Sequence, residues 1–262
     1  MSCIAPKKLY NTLYFDEKQG CSARSHGVVL MDRSHPGRQE AEKLVQRVFL
    51  DAYGARLTAF YPYLLAIHDA EGGYQAVAGL RPGGHTLFCE HYLPQRAEML
   101  LGVPREAMVE IGNLATAGAG RIRWIIVALT AFLQGAGFST ITPLLRNSFV
   151  RMGLPLTYLS SAEEECLPGD MAHDWGAYYD CNPSVYAGYV PAGYEALGKV
   201  AAAHRLLEVT THPYQHRAVP KRPFEWRPAD CIPDLPWSAG NWRCGNRPRR
   251  AFLSGSTPTP SV

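Results

Sequence analysis

Residues 108–123 hold the densest set of groups that could do chemistry. Glu110 falls in an otherwise apolar stretch where a buried hydrophobic residue is expected, and a carboxylate there costs free energy unless it is paired or used. Two readings stay open: a base that accepts a proton, or half of an ion pair with an arginine such as Arg81 or Arg151. Asn113 poses the same question more mildly, either as a group at a reaction centre or as one that satisfies the backbone at a bulge. After Leu114 comes Ala115-Thr-Ala-Gly-Ala-Gly-Arg-Ile-Arg123, small residues running into a helix start. Unpaired N–H groups and the positive end of the helix dipole would cradle a phosphate there, and Arg121 and Arg123 would add charge. A tight strand-to-helix turn built from small residues accounts for the same string, because A-G-A-G is neither a Walker loop nor a Rossmann fingerprint. Glu90 and Tyr92, two apart on an expected strand, put a carboxylate beside a phenol, an arrangement suited to proton transfer. Solvation at a sheet edge explains Glu90 equally well.

Other chemistries find little material. His68, His85 and His91 sit at expected strand ends and make no metal constellation. There is no G-x-S-x-G elbow, and Cys89 has no evident partner base. The seven cysteines are scattered, with no C-x-x-C pair, and read as reduced thiols in a cytoplasmic protein. Lys7, Lys8, Asp16, Glu17 and Lys18 break up any secretory apolar core, and the most apolar run, 124–133, is far shorter than the roughly 20 residues a bilayer requires. A net charge of +3 with 19% charged residues gives no electrostatic case for nucleic acid.

The elements that must position these groups follow from periodicity. Ala41, Leu44, Val45, Val48, Phe49 and Ala52 recur at the helical period, with Glu40, Glu42, Lys43, Gln46 and Arg47 opposite, which predicts an amphipathic helix over 37–53. Runs 63–68 and 74–80, joined by Asp69-Ala-Glu-Gly-Gly73, predict an antiparallel hairpin. Strands are expected at 86–93 and 108–114, then an apolar helix over about 121–135, a strand at 138–142 and a short helix at 146–153. The crossover through the apolar helix makes one strand pair parallel, so the sheet is mixed and mostly antiparallel, an α/β (α+β) class. Residues 1–32 show no sustained period and read as an N-terminal arm, disordered or loosely docked. The aromatic stretch after Leu159 is expected to cap the sheet. Residues 201–262, rich in proline and arginine, read as a disordered tail, solvated or in weak contact with a membrane surface.

Several blocks in order carry a resemblance: Pro62-Tyr-Leu-Leu65, Leu87-Phe-Cys-Glu-His-Tyr-Leu93, Val109-Glu-Ile-Gly-Asn-Leu-Ala115, Ile126-Val-Ala-Leu-Thr-Ala-Phe-Leu133, Leu145-Arg-Asn-Ser-Phe149 with Gly153-Leu154, and Trp175-Gly-Ala-Tyr-Tyr179 with Pro183 and Gly188. Over residues 33–200 the chain resembles the thermostable haemolysin family, which is similar in turn to GNAT acyltransferases and acyl-homoserine-lactone synthases. That resemblance implies a GNAT-like fold. It implies an acyltransferase that moves an acyl group from acyl-CoA or an acyl-carrier protein, bound as co-substrate, to an amine-type acceptor. Glu110, Asn113, Glu90 and Tyr178 would then be the catalytic candidates. The thioester donor would lie along Leu114, Ala115, Gly118, Ala119, Gly120, Arg121, Arg123 and Asn147. The family's name implies instead a membrane-active cytolysin, and a non-catalytic GNAT-like binding module is the third alternative.

Overall fold

A computed structural model describes residues 12–17, 24–118, 120–145, 149 and 152–198. Eight strands form one sheet in sequence order except at the end, where β8 lies between β6 and β7. The strands are β1 (Thr12–Glu17), β2 (Arg24–Met31), β3 (Tyr63–His68), β4 (Tyr74–Pro82), β5 (Met108–Thr116), β6 (Thr140–Leu145), β7 (Leu156–Ser161) and β8 (Ser184–Tyr189). Every pairing is antiparallel except β5 with β6, as the crossover helix between them demands.

Among the described residues the sheet is accompanied by the α-helices α1 (Arg38–Tyr53), α2 (Ala97–Leu101), α3 (Arg121–Ala136), α4 (Gly169–Ala172) and α5 (Val190–Gly198). The period of two on each strand sorts its side chains between two cores. One face, with Leu64, Ala66 and Met108, packs on Leu44 and Val45 of α1, and the other, with Leu65, Leu80, Val109 and Ile111, packs on α3 and α5. Helix α3 is apolar nearly all round because it is pressed between sheet and α5. Its Ile125, Ile126, Leu129 and Leu133 are fully buried, each worth roughly 1.5–3 kcal/mol.

The structure departs from the periodicity in three places. Residues 86–93 are not a strand: Phe88–His91 is a 3-10 turn. Leu87, Phe88, Cys89, Tyr92 and Leu93 are all buried, so the alternation that a strand needs is absent. Residues 12–17 and 24–31, inside the segment expected as an arm, pair with each other and with β3. The aromatic stretch supplies β7, the 3-10 segment His173–Cys181 and β8, so it extends the sheet as well as covering it. The short helix expected at 146–153 and the tail from 201 lie largely or wholly outside the described residues. Cys89 and Cys181 are free, but Cys166 is disulfide-bonded, against the expectation that every thiol is reduced. Among the described residues no helix is long and apolar enough to cross a membrane, and no group of side chains could hold a metal ion.

Candidate active site at the β5–β6 wedge

Pairing between β5 and β6 runs from Met108↔Thr140 to Ile111↔Pro143 and stops there. Both strands go on, β5 to Thr116 on its other neighbour β4 and β6 to Leu145 on β8. The two C-terminal halves therefore diverge, leaving a wedge between strands that are neighbours below it. Helix α3 begins just beyond the end of β5. It has a left-handed glycine, Gly120 (φ +84°), at its N-cap, with no capping side chain and no acidic residue in its first turn. A 16-residue helix that starts uncapped presents free N–H groups and a positive dipole end.

The divergence has a local cause. Between Gly79↔Gly112 and Val77↔Ala115, β5 spends one more residue than β4, which is a bulge. Asn113 takes the left-handed conformation there (φ +46°), a region that asparagine tolerates better than most residues. Its side chain passes over Gly79 and its Oδ1 accepts the backbone N–H of Tyr61 at 2.9 Å. The ring of Tyr61 lies against Gly112: a Cβ there would stand 2.6 Å from the ring Cζ and 2.7 Å from the hydroxyl, so no side chain fits. On Tyr61 in turn sits the Arg81 guanidinium, 4.3 Å from the ring centroid. Asn113 thus satisfies the backbone at a bulge, one of the two expected roles, and it does so at the mouth of the wedge.

Glu110 occupies the last rung but one of the paired stretch and is wholly buried. Phe88 N–H donates to its Oε2 at 2.8 Å, Cys89 N–H to its Oε1 at 2.5 Å, and Arg81 Nε stands 3.8 Å from Oε2. The Tyr61 phenol and the Cys89 thiol lie close enough to feel its charge. Arg81, one of the two arginines anticipated as its ion-pair partner, stands beside it; Arg151 lies outside the described residues. Burial pushes the Glu110 carboxyl above the ordinary carboxylate range, while Arg81 and the two backbone donors pull it back. Burial and the Glu110 charge hold both the Tyr61 phenol and the Cys89 thiol well above their usual values. Thr142, across the seam from Glu110, has a buried hydroxyl without a hydrogen-bond partner among the described residues.

The remaining candidates are dispersed. Glu90 does not share a strand face with Tyr92. It accepts from Leu87 N–H and Ala97 N–H and pairs with Arg105 at 2.7 Å, which pins the 3-10 turn to α2. Tyr178 is packed with Phe49, Tyr53 and Trp175 beneath α1, while the Tyr92 and Tyr179 hydroxyls bond each other at 2.5 Å. Leu114, Ala115, Gly118, Gly120, Arg121 and Arg123 do line the path from bulge to helix start, although Ala117 N–H is already spent on Gln75. Ala119 and Asn147 lie outside the described residues. Tyr61 and Arg81 are the site groups that the chemistry-bearing stretch 108–123 does not contain. The signal for Tyr61 was its place in the Pro62-Tyr-Leu-Leu65 block's immediate approach, a polar ring before a buried strand.

His91, buried on the same 3-10 turn, yields a pH prediction. Burial, with Arg81 adding to it, lowers its pKa from 6.5 to about 4. An unfolded chain therefore takes up this proton first, and the stability present above pH 6.5 is lost as the pH falls through about 4. Thermal melts at both ends of that window should show a smaller acid loss for His91→Gln than for wild type. Equal losses would rule out this origin.

No curated protein matches the chain in sequence. Solved structures similar to it include TofI in a ternary complex with an inhibitor and MTA, at 17% identity and a TM-score of 0.46, covering 67% of this chain and 98% of that one. A CoA-dependent acyl-homoserine lactone synthase, MesI, is similar at 15% identity and a TM-score of 0.43, covering 66% and 94%. A GNAT-family acetyltransferase from Staphylococcus aureus Mu50 is similar at 7% identity and a TM-score of 0.35, covering 62% and 99%. In sequence, the family model described as thermostable hemolysin matches residues 31–194. That span runs from the last residue of β2 into α5 and takes in the wedge, the bulge, Tyr61, Arg81 and Glu110, so the chain belongs to the thermostable hemolysin family.

Proposed function

We propose that this protein transfers an acyl group from a thioester donor to an amine-type acceptor, with the wedge between β5 and β6 as the donor site. The observation that carries the reading is the end of pairing at Ile111 and Pro143 while both strands continue. A pantetheine arm is an extended chain with two amides, and it can join such a gap as an added strand, hydrogen-bonding the backbone that β6 leaves unpaired. The phosphates at the far end of coenzyme A, or the phosphate of a carrier protein's arm, would then meet the N-terminus of α3 with Arg121 and Arg123. Backbone N–H groups near Asn113 and Leu114 are positioned to polarise the thioester carbonyl. A small apolar hollow on the α3 face, lined by Leu129, Leu133, Ile141, Leu154, Val190 and Gly193, suits an acyl tail. Glu110 is the proton acceptor of this scheme, its raised pKa matching the task.

Donor binding should weaken when the loop before α3 is filled. Gly120 is a poor place to do this, because its φ of +84° would strain any side chain whatever the ligand does. Gly118 is the better one: a Cβ there meets only the flexible tip of Arg121, at 3.0 Å. Gly118→Val should raise the dissociation constant for acyl-CoA or acyl-carrier protein about tenfold, roughly 1.4 kcal/mol, with an unchanged melting temperature. Calorimetry with both donors distinguishes the carriers, and absence of binding to wild type by either would remove the basis of the reading.

A further inference from the structure

Cys166 is disulfide-bonded although Cys89 and Cys181 are free, which leaves Cys3, Cys21, Cys231 and Cys244 as its partners within the chain. It ends the 3-10 turn Glu164–Cys166, directly after Glu163, Glu164 and Glu165, and all three glutamates are exposed. No lysine or arginine occurs in residues 152–198, against seven aspartates and glutamates. Among the described residues no cation pairs with the three glutamates, so the turn presents an acidic face that is not neutralised. Strand β7, which leads into the turn, is the edge of the described sheet, and Tyr158 is exposed on it. Proteins ordinarily cover or blunt such an edge.

We propose that the basic segment 242–250 docks on this acidic face, held there by a disulfide between Cys244 and Cys166. Residues 201–262 carry nine lysines and arginines against four acidic residues, and four of the arginines, Arg243, Arg247, Arg249 and Arg250, crowd around Cys244. Cys231 instead lies between Asp230 and Asp234, so joining it to Cys166 would bring like charges together. Cys21 falls in the stretch that joins β1 to β2, and Cys3 precedes β1, both at the end of the sheet opposite β7. Six strand spacings separate β2 from β7, roughly 29 Å, whereas a disulfide needs its Cα atoms within about 7 Å. The segment with Cys244 follows α5, which itself follows β8, the strand beside β7. Each exposed arginine–glutamate pair is weak, but the covalent link keeps the two charged stretches at high local concentration, where several weak pairs act together. Trp242 adds a ring that suits the exposed Tyr158. This docking does not depend on the acyl-transfer reading.

The test is peptide mapping of the full chain, with free thiols capped by N-ethylmaleimide before digestion with trypsin in the absence of reductant. The expected product joins peptide 152–199 to peptide 244–249, and it is lost when dithiothreitol is added. A second measurement probes the contact surface through the equilibrium constant for opening the disulfide with glutathione. In the triple variant Glu163→Gln, Glu164→Gln, Glu165→Gln that constant should rise about tenfold at about 0.1 M salt, and the difference should shrink at about 1 M as the charges are screened. A link from Cys166 to Cys3, Cys21, Cys231 or a second copy's Cys166 overturns the proposal, as does a Cys166 that carries the maleimide. A triple variant that opens like wild type at both salt concentrations also overturns it, because the segment would then hang from the bond without using the acidic face.

Discussion

Replacing Glu110 with glutamine is expected to lower the melting temperature by roughly 10 °C, the equivalent of about 3–5 kcal/mol in a domain of this size. Glutamine matches the shape of glutamate but has only one acceptor oxygen. Phe88 N–H and Cys89 N–H point at two different oxygens of Glu110, so the amide must turn its NH2 toward one of these donors and leave it unsatisfied in a dry interior. Arg81 loses its carboxylate at the same time. The 3-10 turn at Phe88–His91 is thereby detached from the sheet. Turnover should also fall by about 10²-fold, measured well below the variant's own transition, because the proton acceptor is gone. Stability and rate separate through the double variant with Arg81→Met. If the charge pair underlies the destabilisation, the second change adds little to the first, whereas catalysis stays lost in both. Full stability in Glu110→Gln would mean that the carboxylate is not the anchor that two backbone donors and Arg81 make it.

The same network shows why this part of the fold was hard to read from sequence. Helices α1 and α3 and the β3–β4 hairpin were legible because each draws its stability from one repeating apolar face, and such a face is written at a fixed spacing. The strand, small-residue loop and helix from β5 to α3 were legible for the same reason, and with them the place of the wedge. Residues 86–93 are rich in residue types that suit a strand, yet two of their backbone donors are claimed by Glu110 from 22 and 21 residues away in sequence, and a local pattern cannot anticipate a tertiary hydrogen bond. Strand β1 pairs with β2, and β2 with β3, so partners elsewhere in the sheet impose the extended form on segments with little period of their own. Within the site, Glu110 and Asn113 stood out as polar residues in an apolar strand. Tyr61 did not, because an aromatic residue ahead of a buried strand is ordinary until its ring is seen against Gly112 beside the bulge.

Asn113 should show the largest separation between two substitutions at one position. Its role has two parts: a left-handed backbone that admits the extra residue of the bulge, and an amide oxygen that satisfies Tyr61 N–H. Asn113→Gly removes only the second. Glycine accepts φ +46° without strain, so the cost is that of one buried N–H left unpaired, about 1–3 kcal/mol, and the wedge keeps its shape. Asn113→Val removes both. A β-branched side chain at positive φ adds about 1–3 kcal/mol of strain, and β5 can escape it only by absorbing the bulge. Absorbing it shifts the register by one residue beyond Gly112, which turns Leu114 and Ala115 to the wrong faces and carries the N–H groups at the wedge away from the donor carbonyl. The expected order of melting temperature is wild type, then Gly, then Val, and turnover should fall by about 10²-fold or more in Val while Gly retains most of it. Equal turnover in the two variants, measured where both are folded, would show that the left-handed residue does not shape the site. The divergence of β5 from β6 would then need another cause.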